Sequence, residues 1–381
     1  MKLLYGFTAP QSARGFLRGQ AEYMDSKGYD VHVAASPGPE LDECRRLYPV
    51  KVHEIVMSRD INIPADLKAF VEWLRLLRTH RPDVVNFGTP KASLLAALAS
   101  FLARTPRRVY VVRGLRFEGE TGKRRRLLIW IERIISACAT DIVVVSESVG
   151  YSMRASCITR KPLMLIGSGS SNGVDSESWK SRVNAVPATS VRESLEVSPV
   201  EFVVLFVGRI NADKGISTVI EMCKWIRDAS TPVKVIAVGR VDSETAARTL
   251  RESGANVLLV EYQRDLAPLY SIADVLILPT KREGFPNVVL EAAAVGIPTI
   301  TTRATGAIDS IVEGETGFAV DIDDGREMAN RVLQLAANPD LRRGMGEAAS
   351  DRAAEKFRQT DIWQGLTSIY EGRPSPNVTL V

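Results

Sequence analysis

Two glutamates flank a short loop in the second half of the chain. The segment Glu283–Glu291 reads EGFPNVVLE and follows an apolar strand predicted at residues 275–278. Pro286 suits a first helical turn, so we expect a helix to begin there. The first helical amides, about Asn287 to Val289, would then be free to bind an anion. Two carboxylates would repel a phosphate, so a ligand with both phosphates and sugar hydroxyls fits best. Outside this strand–loop–helix context, the two acids would more often be an ordinary pair at a helix terminus.

A second candidate segment lies earlier in the chain, where two cations flank a turn. The turn Gly208–Gly215 contains Arg209 and Lys214 and follows another apolar strand, predicted at 203–207. Ligands of open α/β sheets bind at the carboxyl ends of strands, so we expect this turn and the acidic loop at one edge. Arg as a planar fork and Lys as a point charge would together neutralise a diphosphate. Taken alone, such cations are equally well an ordinary solvated turn.

The two segments together resemble those of the retaining family-4 glycosyltransferases, which have the GT-B fold. The likeness extends over nearly the whole chain and includes Asn172–Asp175, Asp265–Pro279 and Gly314–Phe318. It implies transfer of a sugar, hexosyl or N-acetylhexosaminyl, from a nucleotide-diphosphate sugar, with a UDP-sugar favoured. It also implies that no cofactor and no obligatory metal is needed.

The resemblance assigns roles to residues of this chain. The diphosphate would be held by Arg209 and Lys214, ribose hydroxyls by Glu291, and the transferred sugar would contact Glu283. The remaining donor-binding residues so implied are Gly284, Phe285, Pro286, Asn287 and Val288, Tyr262 and Gln263 near the base, and Arg14 and Gly15 between the first strand and first helix.

These residue types suit cleavage of a sugar–diphosphate bond. Negative charge develops on the leaving group, and preorganised cations and helix amides stabilise it. Retention follows either from attack on the same face of the sugar or from double displacement through a carboxylate. The resemblance favours same-face attack.

The N-terminal half is expected to bind the acceptor. Its segment Val111–Phe117 is similar to a family stretch that commonly carries a histidine where this chain has Arg113. Arg113, together with Arg116, either binds an acceptor phosphate or pairs with Glu118 or Glu120.

A basic segment follows and opens an apolar helix. It consists of Lys123, Arg124, Arg125 and Arg126, with Trp130 one turn further on. Such a helix either rests on an anionic membrane surface or packs on the core with a solvated first turn. The family's capsule and O-antigen members use lipid-diphosphate acceptors, which would suit the membrane alternative.

Apolar segments alternate with amphipathic helical ones in both halves of the chain, which predicts an α/β fold with parallel sheets. We expect two Rossmann-like, doubly wound domains that face each other across a cleft. The acceptor domain is predicted at 1–168, a linker at 169–199 and the nucleotide-sugar domain at 200–359. A C-terminal helix at 360–372 is expected to pack on the first domain, and the tail after it to be loose.

Composition agrees with a globular protein of two domains. The chain has 381 residues, of which 45% are hydrophobic and 25% charged. Residues 1–170 contain 26 basic and 16 acidic side chains, and the remainder contains 23 and 29, so the basic excess lies on the expected acceptor side. The four cysteines and three histidines are widely spaced, which argues against disulfides, a metal site and a Ser-His-Asp triad.

Other classes of protein fit less well. A dinucleotide fingerprint at Gly167–Asn172 lacks its third glycine and the helix that should follow. No nucleic-acid-binding motif accompanies the basic half. We predict a cytoplasmic enzyme, peripheral on the inner face of the cell membrane, that acts on a lipid-linked acceptor in polysaccharide biosynthesis. The alternatives are a soluble acceptor or an inactive nucleotide-sugar-binding homologue.

Overall fold

The chain divides into two compact units. One comprises Met1–Asn172 with Gln359–Val381, and the other comprises Gly173–Arg358. The computed structural model describes residues 1–58, 62–227, 229, 231–253 and 256–381.

The described part of residues 1–172 forms seven parallel strands and seven helices. The strands are β1 (Lys2–Gly6), β2 (Asp30–Ala35), β3 (Lys51–Glu54), β4 (Val84–Phe87), β5 (Arg107–Val112), β6 (Asp141–Val144) and β7 (Met164–Ile166). The helices are α1 (Pro10–Leu17), α2 (Gln20–Ser26), α3 (Pro39–Leu47), α4 (Ile63–His80), α5 (Pro90–Leu102), α6 (Gly122–Cys138) and α7 (Glu147–Ala155). The strands lie in the order β7-β6-β5-β4-β1-β2-β3, and α5 packs between α4 and α6.

The described part of residues 173–358 forms six parallel strands and eight helices. The strands are β8 (Phe202–Val207), β9 (Val233–Val238), β10 (Val257–Val260), β11 (Val275–Leu278), β12 (Thr299–Thr302) and β13 (Gly317–Val320). The helices are α8 (Ser176–Asn184), α9 (Ala188–Ser194), α10 (Ile216–Ile226), α11 (Glu244–Arg251), α12 (Ala267–Tyr270), α13 (Asn287–Ala294), α14 (Gly325–Ala337) and α15 (Pro339–Lys356). The strands lie in the order β10-β9-β8-β11-β12-β13.

The end of the chain returns to the first unit. Helix α16 (Gln359–Glu371), at the position of the predicted helix 360–372, packs on α2 and β7. Its Trp363 indole donates a hydrogen bond of 2.7 Å to Asn172. The tail, expected to be loose, forms β14 (Val378–Leu380), which pairs antiparallel with β7 because that edge strand has unsatisfied backbone groups.

The central strands of both sheets are buried on both faces, as the continuous apolar strands predicted. In β8, Val203 and Leu205 face one apolar cluster while Val204 and Phe206 face another, and all four are buried. Leu3, Leu4 and Tyr5, which are consecutive in β1, are likewise all buried. The predicted α/β fold with two parallel sheets is therefore confirmed.

The prediction that the linker at 169–199 is irregular is wrong. It contains α8 and α9. The side chains that pack on the apolar cluster of the second unit are Trp179 and Val183 of α8, Val191 of α9 and Leu195 directly after it. Their spacing of four residues is helical, but the polar residues between them concealed it. None of the helices in the described part of the chain is long and apolar enough to cross a membrane.

Candidate active site

Two loops of the second unit leave adjacent strands at the same edge of its sheet. Strands β8 and β11 pair in parallel, with Val204 opposite Val275, so residues 208–215 and 279–286 follow them side by side. Gly215 has a φ of 70°, and a Cβ atom there would lie 1.7 Å from the carbonyl oxygen of Pro279. Glycine therefore permits the close approach of the basic turn to the acidic loop.

Lys214 and Glu283 form an ion pair between these two loops. Their side chains are largely buried, with 22% and 15% of their surfaces exposed. Asn211 orients the lysine by accepting a 3.1 Å hydrogen bond from its amide. The predicted diphosphate cation and the predicted sugar-contacting acid are thus direct partners, and an incoming anion would compete with Glu283 for Lys214.

Arg209 shares a carboxylate with a second arginine. Its guanidinium donates a 2.9 Å hydrogen bond to Asp242, and Arg240 donates one of 2.8 Å to the other oxygen of that carboxylate. Burial of Asp242 raises its pKa, but Arg240 and Arg209 outweigh burial and the pKa is lowered. Asp242 and Arg240 were not predicted. The signal available was a repeated Gly-Arg after β8 and β9, which are neighbouring strands.

The backbone of the acidic loop is held from one side by residues 305–306. The Glu283 amide donates a 2.9 Å hydrogen bond to the carbonyl oxygen of Thr305. At Gly306, where φ is 74°, a Cβ atom would lie 2.3 Å from the Gly284 carbonyl oxygen. Phe285 is buried and its ring lies 5.2 Å from that of Phe357. Phe285 therefore anchors the loop.

Helix α13 begins at Asn287, where it was predicted. The Val289 amide donates to the carbonyl oxygen of Pro286 at 3.2 Å, so the expectation that this amide is free is wrong; the turn has already closed there. The amides of Asn287 and Val288 stand at the open end of the helix. The side-chain oxygen of Asn287 is buried with no hydrogen-bond partner among the described residues.

Glu291 lies one turn further along α13 and has a different partner from Glu283. The Tyr270 hydroxyl lies 3.2 Å from its carboxylate and 3.3 Å from the Val288 carbonyl oxygen. Burial, and then the charge of Glu291, raise the pKa of Tyr270 well above its usual value, so the phenol stays protonated and can donate.

Tyr262 and Gln263, predicted near the base, follow β10 and are exposed, with Gln263 donating to the Glu261 carbonyl at 3.4 Å.

In the first unit, Arg14 and Gly15 do not lie in a loop. The predicted strand-to-helix loop is occupied by α1, because Pro10 starts a helix earlier than expected. Arg14 pairs with Glu43 at 2.5 Å, and a Cβ atom at Gly15 would meet nothing within 4 Å. The placement of these two residues in a connecting loop is therefore wrong.

Arg113 lies under aromatic rings rather than beside an acid. Its guanidinium is 4.4 Å from the Phe16 ring centre and 5.8 Å from that of Phe7. Its Nε and one terminal nitrogen are buried and have no hydrogen-bond partner among the described residues. Gly88 leaves the space, since a Cβ atom there would lie 2.0 Å from the guanidinium. Burial lowers the pKa of Arg113 to about 10, so it is charged at pH 7.

The acids predicted as alternatives for Arg113 have other partners. Glu120 pairs with Arg124 at 3.0 Å, so the predicted pairing with Glu120 is wrong. Glu118 accepts a 2.6 Å hydrogen bond from Ser152. Arg116 lies half-buried in a short 3₁₀ helix, Arg116–Gly119.

The basic segment forms the first turn of α6 and is exposed throughout. Lys123, Leu127 and Trp130 lie on one face of the helix at helical spacing, and 61% of Trp130 is exposed. On α4, which packs on the other side of α5, Ile63, Leu67 and Val71 form a second exposed apolar stripe.

Comparison with known proteins gives these features a family. Residues 16–177 match Glycosyltransferase Family 4, and residues 189–352 match Glycosyl transferases group 1. The chain is 36% identical over 360 residues to the capsular polysaccharide biosynthesis glycosyltransferase CapM of Staphylococcus aureus, covering 93% of each chain. The chain belongs to the group 1 glycosyltransferases.

A more distant relative and a solved structure extend the comparison for this glycosyltransferase. It is 24% identical over 327 residues to the UDP-Gal:alpha-D-GlcNAc-diphosphoundecaprenol alpha-1,3-galactosyltransferase of Escherichia coli, covering 82% of each chain. The crystal structure of HepE from Anabaena in complex with UDP and glucose has 18% identity, a TM-score of 0.80 and coverage of 97% of this chain and 99% of that one. This likeness confirms the GT-B fold expected from the sequence.

The site of this glycosyltransferase combines two cations, two carboxylates and a helix terminus at one sheet edge. Both cations are already paired with carboxylates, so a bound diphosphate would displace those carboxylates rather than bind unpaired cations. Such an arrangement can bind an anionic leaving group next to a hydroxyl-rich sugar.

Proposed function

We propose that this glycosyltransferase transfers a hexosyl or N-acetylhexosaminyl group from a UDP-sugar to a lipid-diphosphate-linked sugar in cell-surface polysaccharide biosynthesis, with retention of configuration. The observation that carries the proposal is the Lys214–Glu283 pair beside Arg209 at the carboxyl edge of the second sheet. The names of CapM and of the Escherichia coli galactosyltransferase support the polysaccharide pathway and the lipid-linked acceptor.

The donor would exchange places with the acids that hold the cations. Its diphosphate would take Lys214 and Arg209, and the amides of Asn287 and Val288 would add to the anion site. Glu283, released from Lys214, would accept hydrogen bonds from hydroxyls of the transferred sugar. Glu291, on the same helix as these amides, would bind the ribose hydroxyls.

The same residues would stabilise the transition state without a metal. As the bond between the anomeric carbon and the diphosphate oxygen breaks, charge moves onto the diphosphate, and Lys214 and Arg209 would hold it. In same-face attack the acceptor hydroxyl forms the new bond, and its proton passes to the departing diphosphate. No covalent sugar–enzyme bond is needed on this route.

The first unit would supply the acceptor site. Arg113 has buried nitrogens with no partner among the described residues, which suits an anion such as an acceptor phosphate. Arg116 is close in sequence and would assist. The exposed Lys123–Arg126 segment and Trp130 would rest on an anionic membrane, together with the apolar stripe of α4.

A panel of UDP-, GDP- and dTDP-sugars tests the reaction. The purified full chain is incubated with each donor and a polyprenyl-diphosphate-linked sugar, and release of nucleotide diphosphate and the product mass are measured. We expect turnover with a UDP-sugar that depends on the lipid-linked acceptor. Transfer to a soluble acceptor alone would support the soluble-acceptor alternative, and no release with any donor would support an inactive homologue.

Vesicle sedimentation tests the membrane surface. Replacing Lys123 and Arg124–Arg126 by glutamine should reduce binding to phosphatidylglycerol vesicles at least tenfold, because roughly 1 kcal/mol is lost per charge. Neutral phosphatidylcholine vesicles are the control. Unchanged sedimentation with the anionic vesicles would contradict this surface.

A further inference from the structure

The only three histidines in the sequence meet at one place in the first unit. His32 is in β2, His53 is in β3 and His80 is the last residue of α4. One ring nitrogen from each lies within 4.8 Å of the others, and Nδ1 of His32 is 2.8 Å from Nε2 of His53. The rings of His32 and His53 are nearly coplanar, with an interplanar angle of 5° and centroids 5.1 Å apart, as in a hydrogen bond between ring edges. The sequence indicated isolated histidines, and the topology contradicts this by pairing β2 with β3.

The separations are close to those of a histidine-bound metal. A tetrahedral ion with metal–nitrogen bonds of about 2.0–2.1 Å sets neighbouring ligand nitrogens about 3.3 Å apart. The His32–His53 separation of 2.8 Å would have to open by about 0.5 Å, and His80 would have to approach by no more than about 1.5 Å.

Asp30 adds the feature that often accompanies a metal-binding histidine. Its carboxylate lies 3.2 Å from Nε2 of His32, the ring nitrogen opposite the one that faces His53. This electrostatic contact, which lacks the alignment of a hydrogen bond, favours the tautomer protonated at Nε2, whose Nδ1 can bind metal. Asp30 also pairs with Lys51 at 2.8 Å, so the nearby lysine charge is balanced.

The surroundings allow an ion to enter. His32 is buried, while His53 and His80 are partly exposed.

The cluster lies far along the strands from the loops expected to bind substrates. His32 is near the start of β2, and His80 ends the helix that leads into the start of β4. Substrates of open parallel sheets bind at the carboxyl ends instead. An ion here would therefore tie β2, β3 and α4 together rather than take part in transfer.

We propose that His32, His53 and His80 bind one divalent transition-metal ion of the zinc type, with water as the remaining ligand and Asp30 supporting His32. Imidazole donors suit Zn²⁺ and Co²⁺. The ion stabilises the first unit.

Titration of the tag-free full chain with Zn²⁺ tests the proposal directly, followed by Co²⁺ as a spectroscopic probe. We expect one equivalent to bind, visible Co²⁺ absorption of a four- or five-coordinate site, and a Tm raised by roughly 5 °C at saturating Zn²⁺. His53→Ala and His80→Gln should each weaken binding at least tenfold. Asp30→Asn should weaken it about tenfold.

Cys157→Ser is the matched control, because Cys157 is the exposed cysteine and would be the competing ligand. It should bind Zn²⁺ as the unaltered chain does. His80 is half-exposed at a helix end, so His80→Gln should fold even if His53→Ala does not. Absence of stoichiometric binding to the unaltered chain, or equal binding by His80→Gln, would overturn the proposal and leave the histidines as a packed, hydrogen-bonded cluster.

Discussion

Charged side chains are arranged in opposite ways in the two candidate binding regions. In the second unit, Lys214 holds Glu283 and Arg209 holds Asp242. In the first unit, Arg113 lies over the rings of Phe16 and Phe7, and two of its nitrogens have no hydrogen-bond partner among the described residues.

The difference illustrates two ways in which a protein can hold a cation in position for an anionic ligand. A paired cation is stable when free, and the ligand must displace a carboxylate. A buried cation over aromatic rings recovers only part of the lost hydration through the rings, so it weakens the fold unless an anion arrives. Glu132 is another buried ionisable group of the first unit, with the Tyr110 hydroxyl donating to it at 2.6 Å.

The largest expected effect follows removal of the central pair. Lys214→Ala should lower kcat/KM for the UDP-sugar about 10³-fold, because the leaving diphosphate loses a charge and Glu283 loses its partner. Lys281→Ala is the matched control, since Lys281 lies in the same loop but pairs with Asp323 instead, and it should change kcat/KM much less. Initial rates of UDP release measure both. A loss of less than tenfold for Lys214→Ala would remove it from the site.

The two arginines that share Asp242 should differ sharply. Arg209→Ala should lower kcat/KM about 10²-fold, whereas Arg240→Ala should change it less than about threefold. The reason is that, of these two arginines, Arg209 alone is predicted to hold the diphosphate. The same assay compares them. Equal losses would mean that activity depends on the Asp242 carboxylate being paired with both arginines, and not on Arg209 itself.

Glu132 should make stability depend on pH. Burial raises its pKa to about 7 from an ordinary 4.5, so its contribution to stability is complete below about pH 4.5 and is lost as pH rises through 7. At pH 8, Glu132→Gln should therefore raise the free energy of unfolding by about 2–3 kcal/mol, measured by denaturant unfolding. At pH 5 the substitution should change this free energy little. Equal effects at both pH values would contradict a protonated Glu132.

Arg113 should matter more for the acceptor than for the fold. Arg113→Met should raise the acceptor KM about tenfold, leave the donor KM unchanged, and leave the free energy of unfolding unchanged or raise it by up to about 1 kcal/mol. Arg113→Lys, which keeps the charge, is the matched variant. Destabilisation well above that value without a change in acceptor KM would make Arg113 a packing residue.

Much of the donor region was predictable because its signals are local. Apolar strands β8 and β11, the cations that follow one and the glutamates that follow the other are each visible in a short window, and Pro286 indicates the start of α13. Asp242 and Arg240 were missed because their importance depends on β9 lying beside β8. Helices α8 and α9 were missed because each buries few apolar side chains.

The amino-acid sequence by itself determined the two α/β units, the family and the residues of the two facing loops, since alternating hydrophobicity and turn residues act over a few positions. Only the tertiary structure decided which charges are partners. The number of residues between two positions does not give their distance in space. It is the order of strands in the sheet that brings Arg113 over Phe16 and brings the three histidines together. The pairing of β1 with β2 on one side and β4 on the other sets those neighbours.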